Sequence, residues 1–332
     1  MKYFVPEWER QSATILAMPH KDSDWKPYLA EIQSKMREII AQITRFQPVI
    51  VLYKYESDIV TLKGQKNVIL LKIALNDSWC RDFAPLSVRK NGKLVLMDFI
   101  FNAWGAKYPA DLDNVASAKI FEKLQKMGFF DKNLVKFIQK NFILEGGSIE
   151  TNGKTLLTTT KCLLSPNRNR LSQAQITKKL KKYLGIKKVI WLENGELLGD
   201  DTDSHIDNLA RFIDKKTIVY VKCYDKNDAH FRALNAMECE LQKKCKDFNL
   251  VPLPLPKAIY YKNVRLPASY ANFIFANGAI LVPIFGDKKN DKIALDIFKK
   301  VVKNREIIPI DSRILIRQGG GIHCASMNVA QV

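Results

Sequence analysis

An α/β fold is expected, assembled from repeated modules of a few strands and one helix that close into a ring. Five helix-then-strand units recur along the chain, further strand candidates lie between them, and four of the five units are followed by a loop rich in charged or reactive residues. No Pro/Gly/Ser-rich linker divides the sequence, so residues 1–332 read as a single catalytic domain. In a ring, equivalent loops converge on one axis, and loops on a rigid scaffold are where function usually sits.

Leu29, Ile32, Met36, Ile39 and Ile43 recur at helical spacing behind Pro27, which suits a first turn, and the apolar run 48–53 follows as a buried strand. The second unit is a helix over about 115–127 and a strand at 134–138. The third is a helix over about 172–184, stopped by Gly185, and a strand at 188–192. The fourth pairs 228–244 with 250–255, and the fifth 291–302 with 306–310. Additional strands are expected at 68–73, 94–99, 155–160, 218–222 and 270–276, the last turning through Asn277-Gly278 into 279–283. The final ten residues, from His323, are mostly small or apolar and read as a docked strand.

No apolar run reaches the length of a membrane span, and Met1 to Arg10 carry two acids without an apolar core, unlike a signal peptide. Six cysteines contain no C-x-x-C pair, so free thiols and a cytoplasmic setting are expected. The net charge of +19 would suit nucleic acid, but the lysines are scattered over helical segments such as 178–182 and 288–292. They read as solvated faces.

The stretch R-Q-G-G-G-I-H-C (317–324) delivers Cys324 from a turn free of side-chain bulk, which also lets a substrate approach closely. A buried core cysteine is the bland alternative. His205 and Asp207 stand two apart, which puts both on one face if the chain is extended, among Asp200, Asp201 and Asp203. These acids favour an imidazolium able to give and take protons. His323 directly precedes Cys324, and on an extended chain it points the other way, so a packing or supporting role is expected. A cysteine beside a protonated histidine becomes a reactive thiolate. Two carboxylates, Asp82 and Asp207, would bind a planar cation, and Trp79 and Trp104 would suit its faces. Capping by the aspartates and core packing of the tryptophans stay open as alternatives. Together the set describes nucleophilic attack on a guanidinium carbon.

The segments A-M-P-H-K-D-S-D-W (17–25), N-D-S-W-C-R-D (76–82), F-N-A-W-G-A-K-Y (101–108), L-E-G-G-S (144–148), D-T-D-S-H-I-D-N-L-A-R-F (201–212), P-A-S-Y-A-N-F-I-F-A-N-G (267–278) and G-G-G-I-H-C (319–324) resemble the agmatine deiminase family. That family belongs to the guanidine-modifying enzymes, with the bacterial peptidylarginine and arginine deiminases. The resemblance implies a five-bladed α/β propeller with a central active site and no metal or organic cofactor. It implies Cys324 as nucleophile, His205 as general acid then base, Asp82 and Asp207 as guanidinium ligands, and Glu145 as the carboxylate orienting His205. Trp79, Trp104, Asp203 and Gly321 are counted as substrate-binding. The implied reaction is hydrolysis of agmatine to N-carbamoylputrescine through a covalent amidino-cysteine. The implied partner is a small guanidinium molecule, with no membrane or nucleic acid, and self-association stays open. Ala106 and Ser204 stand where the family often has glycine, and many members carry one more residue in the glycine turn. These departures bear on the tail pocket, which keeps arginine and peptidylarginine as alternative substrates. A basic nucleic-acid-binding protein is the non-enzyme alternative. A zinc hydrolase using His205, Asp207 and Cys324 lacks any supporting ligand spacing.

Overall fold

The computed structural model describes residues 2–332. The chain forms two compact units: Met1–Gly146 with Phe275–Asn277 and Cys324–Val332, and Gly147–Ile274 with Gly278–His323.

The first unit contains two of the five modules. In one, strand Gln11–Ala17 runs into helix Leu29–Thr44, which returns the chain to strand Val49–Tyr53, parallel to the first, and strand Val68–Lys72 adds beside it. Every residue of Val49–Tyr53 is buried, as a parallel strand covered on both faces requires. The helix meets it with Ile32, Met36, Ile39, Ile40 and Ile43. In the other, strand Lys93–Ile100, helix Ala116–Lys126 and strand Val135–Ile143 repeat the parallel crossover, with Leu86–Lys90 antiparallel beside Lys93–Ile100 and Lys2–Phe4 antiparallel at the edge.

The second unit contains three modules. Strands Thr155–Thr159 and Lys188–Leu192 are parallel around helix Gln173–Leu184, and Thr217–Lys222 and Asn249–Pro254 around Phe231–Lys244. Ala279–Ile284 and Glu306–Asp311 are parallel around Lys288–Val301. Ser172 starts its helix with a reciprocal capping box to Gln175, and Gly185 ends it in the left-handed conformation. All five expected helix-then-strand units are therefore present, each as a parallel crossover.

Several expectations change. Strand Gln11–Ala17 was not foreseen, because Gln11, Ser12 and Thr14 interrupt its apolar run; Gln47 satisfies two of them from inside, at 2.7 Å to Gln11 Oε1 and 2.6 Å to Thr14 Oγ1. The strand expected at 270–276 shrinks to Ile274–Ala276. Polar groups hold the preceding residues in a turn, with the Tyr270 hydroxyl on Asp291 at 2.6 Å. The C-terminal strand is docked as expected, antiparallel to Gln11–Ala17, but begins only at Ser326. Among the described residues no helix is long and apolar enough to cross a membrane.

Candidate active site

In the first unit, Cys324 closes a turn two residues before the C-terminal strand and is 5% exposed. Its carbonyl accepts the Arg81 backbone N–H at 3.1 Å, which ties it to the short helix Cys80–Phe83 carrying Asp82. Arg81 is itself anchored, donating to Glu7 Oε1 at 2.7 Å and Asn328 Oδ1 at 3.2 Å. Gly146 lies against this segment; a Cβ there would stand 2.1 Å from the Arg81 carbonyl oxygen, so the L-E-G-G motif needs its first glycine for close approach. Glu145, beside it, is fully buried. Asp82 accepts the Trp104 indole N–H at 2.9 Å, and Trp79 packs on Trp25 with ring centroids 5.4 Å apart.

The second thiol in this region differs in kind. Cys80 Sγ donates to the carbonyls of Ala325 at 3.1 Å and Ile15 at 3.3 Å, and burial pushes its thiol up to about 12. Held so, it favours the protonated thiol near neutral pH.

Trp104 sits in an unusual backbone. Ala103, Trp104, Gly105 and Ala106 all have positive φ, from 50° to 94°, a left-handed turn capped by the Asn102 side chain on Gly105 N–H at 3.1 Å. Single left-handed residues other than glycine cost of order 1–2 kcal/mol, and such strain clusters at functional sites.

In the second unit, the acidic loop is a scaffold for His205. Asp200 accepts from Thr202 N–H, the Thr202 hydroxyl and Ser204 N–H, at 3.0, 2.6 and 3.1 Å. The Thr202 hydroxyl in turn accepts His205 N–H at 3.1 Å. Asp203 and Ser204 both have positive φ, 65° and 66°. Buried Arg168 holds Asp203 and the residue before it, donating to Asp203 Oδ2 at 2.6 Å and to the Thr202 carbonyl at 3.0 Å. His205 is fully buried at the start of a short helix, Ile206–Asn208, that contains Asp207. His205 and Asp207 are thus not on an extended chain, and the two-residue alternation expected there does not apply.

Asp207, also fully buried, meets His323 Nδ1 at 2.7 Å. Burial pushes its carboxyl up, but the hydrogen bond from His323, with the charges of His323, His205 and Arg211, more than offsets this and holds it below the usual carboxylate range. His323 lies in a turn rather than a strand, so the opposite-face expectation also rests on the wrong backbone. Gly321 packs on Asn272; a Cβ there would stand 2.3 Å from Asn272 Oδ1, which explains the last glycine of the triplet.

Sequence reasoning missed Arg168, Asn272 and the reach of His323. Asn272 lies inside the quoted motif 267–278 but resembles an ordinary turn residue, and Arg168 looks like one more surface charge until its burial is seen. The two departures from the family pattern, Ala106 and Ser204, are both residues forced into the left-handed region. Ala106 is exposed, so Ala106→Gly is expected to stabilise the protein by about 0.5–1 kcal/mol, strain relief exceeding the entropic cost of glycine. Urea unfolding checks this, and a destabilised variant would contradict it.

The sequence pattern of the Porphyromonas-type peptidyl-arginine deiminase family matches residues 3–330. A Vibrio parahaemolyticus relative, provisionally named an agmatine deiminase, is 33% identical over 98% of this chain and 96% of its own. A serine variant of the C. jejuni agmatine deiminase, solved with substrate bound, is 43% identical with a TM-score of 0.94, covering 100% of this chain and 97% of that one. The Enterococcus faecalis agmatine deiminase is 26% identical with a TM-score of 0.88, covering 99% and 96%. Fold and relatives define an enzyme of the guanidine-modifying hydrolase class, one that deiminates guanidines. The chain belongs to the Porphyromonas-type peptidyl-arginine deiminase family, and the expected likeness to agmatine deiminases holds along its whole length.

Proposed function

We propose that the protein hydrolyses agmatine to N-carbamoylputrescine and ammonia, in the cytoplasm, as one catalytic domain whose five modules form a five-bladed propeller. The observation that carries the choice of substrate is an acidic cavity of about 250 Å³ in the first unit, walled by Trp104, whose indole reaches Asp82. Its charged lining is Asp22, Asp24, Asp77 and Asp113 against Lys54 alone, and Lys54 is already paired with Asp22 at 2.8 Å. Burial pushes the Asp113 carboxyl up to about 8, assisted by the nearby Asp77. Burial pushes Asp77 up to about 6, assisted by Asp24. Asp113 is thus held neutral at pH 7, while Asp77, charged above about 6, suits the ammonium of an aminobutyl tail and opposes the carboxylate of free arginine.

In this reading Asp82 and Asp207 hold the guanidinium and the Cys324 thiolate adds to its central carbon. His205, oriented by Glu145, gives a proton to a terminal nitrogen, the C–N bond breaks, and ammonia leaves an amidino-thioether on Cys324. His205 then takes a proton from water, the hydroxide adds to the same carbon, and the C–S bond breaks to restore the thiolate, while the added hydroxyl gives up its proton to solvent, where the freed ammonia takes it up, and the urea leaves. No metal or cofactor is required. The chain's net charge of +19 opposes a cationic substrate, and the local acids must overcome it.

Ammonia release from agmatine, free arginine and an arginine-containing peptide tests the assignment. Agmatine should exceed arginine in kcat/KM by roughly 10²-fold or more, the cost of setting a carboxylate against like charges. Faster turnover of arginine or of the peptide would contradict it. The tail pocket also has a pH signature. Asp77 is neutral below about 6 and charged above it, so KM for agmatine should rise as pH falls through 6. Butylguanidine, which lacks the ammonium, should show no such rise, and parallel profiles for the two would sink the pocket assignment.

A further inference from the structure

We infer that His323 is a positioning residue whose imidazole Nδ1–H fixes the Asp207 carboxylate in the orientation that receives the guanidinium. The inference rests on the reading of Asp207 as a guanidinium ligand. A carboxylate only accepts, so at 2.7 Å the proton lies on Nδ1 of His323, and a neutral imidazole suffices. The backbone that carries the ring is held as well: His323 N–H donates to Asn272 Oδ1 at 2.9 Å. Asn272 Nδ2 donates in turn to Asn208 Oδ1 at 3.0 Å, and Asn208 is the residue after Asp207. The Ser269 hydroxyl adds a bond to the Asn208 carbonyl at 2.7 Å. The path Asp207, His323, Asn272, Asn208 and back to Asp207 is therefore a closed ring of hydrogen bonds and one peptide link. None of its four side chains is more than 2% exposed. In so dry a setting a hydrogen bond to a charged oxygen is strong, and a closed network leaves the carboxylate little freedom. The same ring anchors the residue that immediately precedes Cys324 in the sequence.

A histidine that merely fills space would support the fold without distinguishing charged from neutral ligands. Calorimetric titration in a Cys324→Ala background separates the cases, using agmatine and N-carbamoylputrescine, which differ by one charged nitrogen replaced with oxygen. His323→Leu should weaken agmatine roughly 10- to 100-fold, as expected for loss of one hydrogen bond to a charged group, and leave N-carbamoylputrescine within roughly threefold. His323→Asn places an amide nitrogen where Nδ1 stands and should restore agmatine to within roughly threefold, whereas His323→Gln, with its nitrogen one bond further out, should not. If His323→Leu fails to fold, the Asn and Gln variants still decide. Equal losses for both ligands, no loss for either, or identical Asn and Gln variants would overturn the inference. A background protein that does not prefer agmatine to N-carbamoylputrescine would instead overturn the reading of Asp207, a separate result.

Discussion

Replacing Cys324 with alanine is expected to remove turnover, a loss on the order of 10⁶ in kcat as for other excised nucleophiles, while the unfolding midpoint hardly moves. The small effect on stability follows from how the residue is held. Its position comes from its backbone carbonyl on Arg81 N–H, from the glycine turn before it and from the paired strand after it, none of which an alanine disturbs. Cys80 provides the contrast within the same unit. Its thiol serves two carbonyls and is held protonated by burial, so Cys80→Ala should cost about 1 kcal/mol of stability and little activity per folded molecule. Ammonia release normalised to folded protein separates these outcomes. Equal loss at the two cysteines would mean that the acting thiol has been misassigned.

His205→Asn should come second in effect. A positioned proton carrier contributes roughly 10²–10⁴ in rate, and asparagine keeps the size and polarity of the side chain while removing that function. The loss belongs in kcat, because the Asp200–Thr202–Ser204 hydrogen bonds that set the loop do not involve the imidazole. A near-normal kcat, or a loss confined to KM, would exclude His205 as the acid and base. His323→Asn should remain much more active, since it keeps a donor to Asp207.

The modular plan was legible because each helix carries its apolar stripe and each parallel strand its unbroken apolar run, as Leu29–Thr44 and Val49–Tyr53 show. Gln11–Ala17 escaped notice because its buried polar side chains are satisfied by Gln47, thirty-odd residues away, and pattern reading cannot see such a partner. The candidate site residues stood out because cysteine, histidine and aspartate gathered in corresponding loops. Their surroundings did not. Side-chain parity assumed extended backbone at both His205–Asp207 and His323–Cys324, whereas the first begins a short helix and the second lies in a turn. Long-range partners such as Arg168 for Asp203 and Asn272 for Gly321 leave no periodic trace. The family departures at Ala106 and Ser204 were visible in sequence, but only the backbone angles give them a physical meaning.

The central claim is that the substrate carbon is carried on Cys324 during the reaction. Wild-type protein mixed with agmatine, quenched in acid during turnover and analysed by intact mass and peptide mapping measures this directly. The expected result is an added mass equal to agmatine less ammonia, located on the peptide that contains Cys324 and absent from the Cys324→Ala variant. Steady turnover with no adduct under conditions that trap one in a covalent control enzyme, or an adduct on Cys80, would contradict it.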